Sequence, residues 1–128
     1  MAVDALQHIN IRSTDVERTR DFYVRVLGLR VGDRPAFTST GYWLYLGAEP
    51  VIHLVQKTSD EPASGADTGP IDHIAFRGVD LEGTRRTLTR EGIAFREAVV
   101  PRDNSIQVFV HDPDGVRIEL NFHQDPLH

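Results

Sequence analysis

The sequence predicts an α+β fold in which two tandem copies of a βαβββ module make up one domain. Two observations carry this prediction. The segment Thr14-Asp15-Val16 and the helix-stop residue Gly28 recur about 65 positions later as Val79-Asp80-Leu81 and Gly92. Between the two copies lies a polar stretch rich in Ser, Asp, Gly and Pro, which is typical of a linker. We therefore expect a single domain over residues 1–128, with modules at 1–56 and 71–124 joined by a linker at 57–70.

The first module is predicted to contain a strand, a helix and three further strands. Residues 5–12 alternate polar and apolar side chains, as a half-buried strand does. Thr14, followed three positions later by Glu17, predicts a capping box at the start of the helix. Gly28 is placed to end the helix in a left-handed conformation. Short apolar segments predict strands over residues 29–32, 42–46 and 51–56.

The second module repeats this order. Residues 71–77 predict a strand, Asp80 can cap a helix, and Gly92 can end it. The Asp-Pro-Asp-Gly segment at 112–115 predicts a tight turn between the last two strands. The three strands after the helix are expected over residues 93–98, 107–110 and 116–122.

Composition and charge exclude several classes of function. The formal net charge of −5 argues against nucleic acid or an anionic membrane surface as a partner. The absence of cysteine excludes disulfide bonds, thiolate zinc sites and a cysteine nucleophile. We find no apolar run long enough to cross a bilayer and no signal-peptide pattern, so we expect a cytoplasmic location.

Four residues at repeat-related positions are candidate metal ligands. His53 follows His8 by 45 positions, and Glu119 follows His73 by 46. Each lies in an apolar, strand-like run, and a pseudo-twofold fold that superimposes the two modules would bring all four to one point. Imidazole and carboxylate suit divalent Zn, Ni, Fe, Mn or Co. The sequence therefore predicts a divalent metal site.

Strand parity extends the predicted site to residues that could contact a substrate. Side chains alternate between the two faces of a strand, so residues two positions from a ligand share its face. This places polar residues beside the ligands and large apolar residues, including Leu44 and Leu46, on the opposite, core-forming face. The cavity side would carry amides and an aromatic wall, which suits a small, partly apolar organic substrate. The candidate substrate-binding residues are Asn10, Trp43, Tyr45, Gln107, Phe109 and Asn121.

The chain resembles the vicinal oxygen chelate superfamily, which includes glyoxalase I, extradiol dioxygenases and bleomycin-resistance proteins. The matching motifs span almost the whole chain: His8-Ile9-Asn10-Ile11, the helix end at residues 26–29, Asp72-His73-Ile74-Ala75-Phe76, and residues 112–120. The resemblance implies that the strands of both modules form a curved, mixed sheet around a divalent metal. It also implies a homodimer, in some members with the site built across the interface.

The resemblance favours a metal-dependent lyase or isomerase of the glyoxalase type. His8, His73 and Glu119 match three ligand positions that many members share. The fourth position, usually Glu in glyoxalase I and Gln in the epimerases, is His53 in this chain. The expected substrate is a small carbonyl or vicinal-oxygen compound, with His53 or Glu119 as the catalytic proton carrier.

Three other functions stay open on the same residues. An Fe(II) extradiol-type dioxygenase would use His8, His73 and Glu119 as its 2-His-1-carboxylate triad. Its signature tyrosine is replaced here by Phe109. A non-catalytic small-molecule binder like the bleomycin-resistance proteins needs no ligands, whereas this chain keeps all four. A fosfomycin-type transferase shares three ligands but expects a basic set that the sequence does not show.

Overall fold

The computed structural model describes residues 2–58, 68–101 and 103–123. Within this part of the chain a strand, a helix and three strands occur twice in succession, as expected. The elements are β1 (Ile9–Ser13), α1 (Val16–Arg25), β2 (Arg30–Gly32), β3 (Gly41–Leu46), β4 (Glu49–Gln56), β5 (Ile74–Arg77), α2 (Leu81–Arg90), β6 (Arg96–Val99), β7 (Ile106–His111) and β8 (Arg117–Phe122).

The chain divides into two compact units, Met1–Ser64 and Gly65–His128, and the division falls inside the predicted linker. Most of that linker lies outside the described residues. Each unit holds one four-stranded mixed sheet and one helix, so the predicted α+β class with tandem βαβββ modules is confirmed. No helix in the described residues is long and apolar enough to cross a membrane.

In the first unit the strand order is β1-β4-β3-β2. The central strand β4 pairs parallel with β1 and antiparallel with β3, which places Asn10 beside His53 on one side and Trp43 beside it on the other. Apolar side chains of α1, β3 and β4 are fully or almost fully buried, and they form the core of the unit. These core residues are Val16, Tyr23, Leu44, Ile52 and Leu54.

In the second unit the strand order β5-β8-β7-β6 repeats this arrangement. Strand β8 pairs parallel with β5 and antiparallel with β7, so Ala75 and Phe109 flank Glu119. The alternating apolar residues of β7 and β8 are buried, together with one residue of α2. This core consists of Leu88, Val108, Val110, Ile118 and Leu120.

The helix ends follow the sequence signals, with one correction. The predicted capping box of Thr14 and Glu17 is wrong, because the Asp15 side chain accepts the hydrogen bond from the Arg18 backbone N–H. The Asp15 carboxylate, one position after Thr14, reaches the free N–H groups of the first turn. Its negative charge also suits the positive end of the helix dipole. Asp80 caps α2 in the same way, as predicted.

Two glycines with positive φ follow the helices. Gly28 (φ 79°) and Gly92 (φ 68°) adopt the left-handed conformation that other residues rarely reach. After α2, the Gly92 N–H donates to the Thr89 carbonyl and the Ile93 N–H donates to the Leu88 carbonyl. These bonds satisfy the last carbonyls of the helix, as in a Schellman motif.

Two expectations about strands were wrong. The first strand of each module begins later than predicted, so His8 and His73 lie immediately before β1 and β5. Alternation of polar and apolar residues does not show where a strand begins to pair with its neighbour. Strand β1 pairs with β4 only from Ile9 onward, and β5 pairs with β8 only from Ile74 onward. Leu46, expected in the core, is 51% exposed because the β3–β4 register shifts after Leu44.

The packing of α2 provides a test of the fold. Leu88 is fully buried, whereas Val79, just before the helix, is 96% exposed. Leu88→Ala is expected to lower the free energy of unfolding by about 2–5 kcal/mol, because it leaves a cavity in the core. Val79→Ala, the control, should change it by less than about 0.5 kcal/mol. Urea denaturation of both variants measures the difference, and equal stabilities would contradict the packing of α2.

Candidate metal site

The strand register places the first pair of candidate ligands in one unit. His53 lies on the central strand β4 and is buried, while His8 precedes the edge strand β1 and is exposed. Residues that pair directly on neighbouring strands project to the same face, so Asn10, His53 and Trp43 form one row across the sheet. The predicted face is therefore occupied by a ligand candidate, an amide and an aromatic ring.

Three rings of this face form a continuous stack. Trp43 and His53 stack with centroids 4.1 Å apart and an angle of 12° between planes. His53 and His8 stack at 3.8 Å and 9°. Because the lone pair of a ring nitrogen lies in the plane of its ring, two parallel stacked imidazoles cannot direct their lone pairs at one ion. The structure therefore brings His8 and His53 together, but one ring must rotate before both can bind the same metal.

Hydrogen bonds determine which ring nitrogens of this pair are free. His53 Nε2 lies 3.1 Å from the carbonyl oxygen of Pro50, to which it donates, so Nδ1 carries the lone pair. His8 Nδ1 lies 2.9 Å from Gln7 Oε1, which leaves the lone pair on Nε2. Burial, with the charge of His8 as a smaller contribution, lowers the pKa of His53. Both effects favour the neutral imidazole that a metal requires.

Glu119 is the centre of the second pair, in the other unit. It lies on the central strand β8 and is only 8% exposed. Gln107 Nε2 donates to its Oε1 at 3.2 Å, and Asn121 Nδ2 donates to its Oε2 at 2.8 Å. Both amides were predicted on this face as substrate contacts, and in the structure they hold the carboxylate. A buried carboxylate with a donor on each oxygen is fixed in orientation and keeps lone pairs for a further partner.

His73 lies between two carboxylates. His73 Nδ1 donates to Asp72 Oδ2 at 2.7 Å, and the same oxygen accepts from Arg117 Nη1 at 2.7 Å. The other ring nitrogen of His73, Nε2, lies 3.6 Å from Glu119 Oε1. A proton on Nε2, or a cation between the two atoms, makes this approach favourable.

The donor chemistry of this pair fits a divalent metal. Metal–ligand bonds of about 2.0–2.2 Å leave two donors of one ion roughly 3–3.5 Å apart, close to the observed separation. The hydrogen bond from His73 to a carboxylate is the outer contact that ligand histidines commonly make. That hydrogen bond and the charge of Arg117 lower the pKa of Asp72, so the carboxylate stays ionised.

The remaining predicted substrate residues lie on the same faces. Tyr45 lies where a side chain at Gly32 would project, and Gly32 pairs with Trp43. The Tyr45 hydroxyl donates to the Asp33 carbonyl at 2.6 Å, which fixes the ring above β2. Phe109, beside Glu119, carries two arginine guanidinium groups over its ring.

Sequence reasoning missed the residues that orient the ligands. Asp72 was not proposed for any role, although it is adjacent to His73. Phe37 was also missed, and its ring contacts Trp43 with centroids 6.4 Å apart. Over its described residues, neither unit holds a group of three or more His, Cys, Asp or Glu side chains that could bind a metal. The four ligand candidates form two pairs, one in each unit.

The chain belongs to the glyoxalase/bleomycin resistance protein/dioxygenase superfamily, whose family model matches residues 5–120. This finding confirms the resemblance that the motifs indicated. Members of this superfamily generally use a divalent metal, and the donor chemistry of the two pairs agrees with that use.

Several of the similar proteins are glyoxalases by name. The chain is 33% identical to the lactoylglutathione lyase of Salmonella typhimurium over 122 residues, which cover 90% of both chains. It is 32% identical to glyoxylase I 4 of Arabidopsis thaliana over 122 residues, covering 91% of this chain and 69% of the relative. A glyoxylase/bleomycin resistance protein/dioxygenase domain from Frankia sp. EAN1pec has the same fold, with a TM-score of 0.78 at 15% identity over 96% of this chain and 100% of the other.

Proposed function

We propose that this protein is a metal-dependent lyase or isomerase of the glyoxalase type. Its proposed substrate is a small carbonyl or vicinal-oxygen compound. The observation that carries the proposal is the His73–Glu119 pair, in which the imidazole Nε2 lies 3.6 Å from a carboxylate that two amides hold in place. The lactoylglutathione lyases, at about 30% identity over 90% of their length, support the reaction class.

His8 and His53 of the first unit, and His73 and Glu119 of the second, are the proposed metal ligands. When bound, a divalent metal acts as a Lewis acid on substrate oxygens. Asp72 would hold His73 in the correct tautomer, and the amides of Gln107 and Asn121 would hold Glu119. The identity of the ion, among Zn, Ni, Fe, Mn and Co, is left to measurement.

The proposed reaction is derived from lactoylglutathione, the compound in the names of these relatives. A lyase that acts on lactoylglutathione breaks its carbon–sulfur bond and releases glutathione and 2-oxopropanal. The hydrogen on the hydroxyl-bearing carbon moves to the neighbouring carbonyl carbon. The hydroxyl group becomes a ketone, and the hydroxyl proton goes to the thiolate. The reverse direction requires the same proton transfer, so a base must lie beside two adjacent oxygen-bearing carbons.

Two residues are proposed for that base, His53 and Glu119. The free Nδ1 of His53 can accept a proton, while its Nε2–H remains bonded to Pro50. Glu119 is the second candidate, and the amides of Gln107 and Asn121 hold its carboxylate in a fixed orientation. The rings of Trp43, Tyr45 and Phe109, with Asn10, are the proposed contacts for the organic part of the substrate.

The test of this function is turnover with and without metal. Protein loaded with Zn, Ni, Co or Mn is mixed with 2-oxopropanal and glutathione, and formation of the lactoylglutathione thioester is followed by absorbance. The proposal expects turnover that a chelator abolishes and added metal restores. Oxygen uptake with Fe(II) and a catechol would favour the dioxygenase instead. Saturable binding of substrates without turnover of any would favour the small-molecule binder.

Asp72 provides a prediction about metal affinity. Asp72→Asn removes the charge that holds the His73 tautomer, so the dissociation constant of the metal is expected to rise about 10–100-fold. Asp21→Asn, which removes a carboxylate from a half-buried ion pair with Arg20 in the other unit, is the control. Competition with a fluorescent chelator measures both variants, and equal affinities would remove Asp72 from the site.

The homodimer and the cytoplasmic location stay predictions. The homodimer rests on the resemblance to the family. Size-exclusion chromatography with light scattering tests the first directly.

A further inference from the structure

A double cation–π contact lies beside the proposed ligand Glu119 in the second unit. The guanidinium carbon of Arg96 lies 4.6 Å from the centre of the Phe109 ring, and that of Arg117 lies 4.8 Å from it. Each contact is within the range at which a cation is attracted by an aromatic face. Phe109 therefore positions two positive charges next to the carboxylate.

The strand register places these groups on the face of the proposed site. Arg96 pairs with Phe109, and Phe109 pairs with Glu119, so the three project to one face across β6, β7 and β8. Neighbouring strands lie about 4.8 Å apart, so the Cα atoms of Arg96 and Glu119 are roughly 10 Å apart. Arg117, two positions before Glu119 on β8, shares the same face. A ligand of a few heavy atoms could reach from the carboxylate to either guanidinium.

The two arginines differ in how their charge is balanced. Arg117 donates to Asp72 at 2.7 Å and is therefore neutralised. Arg96 is exposed, and no carboxylate in the described residues lies within ion-pair distance of it. Arg85 in the same unit, by contrast, is paired with both Glu82 and Glu97. Stacking covers one face of the Arg96 guanidinium but leaves its N–H edges free, and these can bind a carboxylate with two parallel hydrogen bonds.

The first unit has a residue without a side chain at the position related to Arg96. There Trp43 occupies the place of Phe109 beside His53, and its partner on the neighbouring strand is Gly32. A positive charge does act on His53, but it comes from Arg34, which follows β2 and lies outside this row of paired residues. The position of the cation therefore differs between the two modules.

We propose that Arg96, stacked on Phe109, binds a carboxylate of the substrate, so that the enzyme selects acidic carbonyl compounds. This inference rests on the proposed function, because it takes Glu119 to mark the reacting end of the ligand. The carboxylate belongs either to a glutathione conjugate or to a small 2-oxo acid. Both sources present the same group to the guanidinium.

The test measures ligand binding to the full chain by saturation-transfer NMR titration. No turnover is involved. The probes are S-methylglutathione, compared with its dimethyl ester, and pyruvate, compared with its methyl ester. The esters lack the carboxylate charges. Wild type is compared with Arg96→Gln, with Arg96→Lys, and with Arg90→Gln as the charge-matched control. Arg90 is 67% exposed on α2. Circular dichroism and thermal melting establish that each variant is folded.

The proposal expects Arg96→Gln to bind at least one of the two acids about tenfold more weakly, the size of one charge-assisted hydrogen bond. Ester binding should be unchanged, Arg90→Gln should bind like wild type, and Arg96→Lys should be intermediate, because an ammonium has no planar fork. The acid that responds identifies the source of the carboxylate.

Three results would overturn the anion site: equal binding by wild type and Arg96→Gln, an equal loss in Arg90→Gln, or no saturable binding of either acid by wild type. Because no turnover is measured, this outcome is separate from the proposed reaction. Acid binding through Arg96 without lyase activity would refute the reaction alone, and lyase activity with unaltered binding in Arg96→Gln would refute the anion site alone.

Discussion

Glu119→Gln is expected to lower metal-dependent turnover at least about 100-fold while leaving the fold intact. Residues that merely orient a ligand already contribute about 10–100-fold to metal affinity or activity, so loss of the ligand's charge should cost more. The amide keeps the shape of the side chain, and the neighbouring amides of Gln107 and Asn121 can reorient to bond it. The loss should therefore appear in metal affinity and turnover and not in the unfolding transition.

The control for this variant is Glu91→Gln, the same chemical change at the end of α2. Steady-state turnover of lactoylglutathione and metal affinity are measured for both proteins beside wild type. Full activity in Glu119→Gln would contradict the ligand assignment. Loss of folding with undiminished metal affinity would show that the buried carboxylate has a structural role.

His53 substitutions should separate metal binding from proton transfer. If His53 carries the proton, His53→Gln is expected to keep the metal while turnover falls about 10²–10⁴-fold, the usual contribution of a general base. His53→Glu introduces the residue that the resemblance to glyoxalase I implies at this position, and it should restore most of the turnover. Parallel loss of metal and turnover in His53→Gln would make His53 a plain ligand.

The single tryptophan provides a second measurement on the same variants. Trp43 stacks on His53 at 4.1 Å, so its fluorescence should respond when the imidazole turns to bind metal. Wild type is expected to show a saturable fluorescence change on metal addition, and His53→Gln a smaller one. No change in wild type would mean that the His8–His53 stack persists and that these rings do not bind the ion.

The sequence was sufficient to predict the architecture, because each module repeats the same local signals. Asp80 and Gly92 begin and end α2 as their chemistry requires, and the parity of β8 placed Glu119 on one face with Asn121, to which it is hydrogen-bonded. The parity rule failed at Leu46, since a register shift between paired strands has no signature in a single strand. The helix cap at Asp15 was missed because Thr14 offered an equally good local signal.

The orientation of the site residues could not be predicted in the same way. Parity placed His53 and Trp43 on one face, but ring stacking depends on side-chain torsions that the sequence pattern does not fix. The same holds for Gln107 and Asn121, whose amides bond Glu119. Asp72 was overlooked because its role depends on a three-dimensional contact with Arg117, 45 positions away in the chain.

Metal content tests the central claim most directly. Protein purified without added metal is analysed by inductively coupled plasma mass spectrometry, with His73→Ala prepared in parallel and checked for folding. We expect close to one Zn, Ni, Co, Fe or Mn ion per site in wild type and a steep loss in His73→Ala. Wild-type protein that neither contains metal nor can be loaded with it, or a folded His73→Ala variant with undiminished metal, would contradict the proposal.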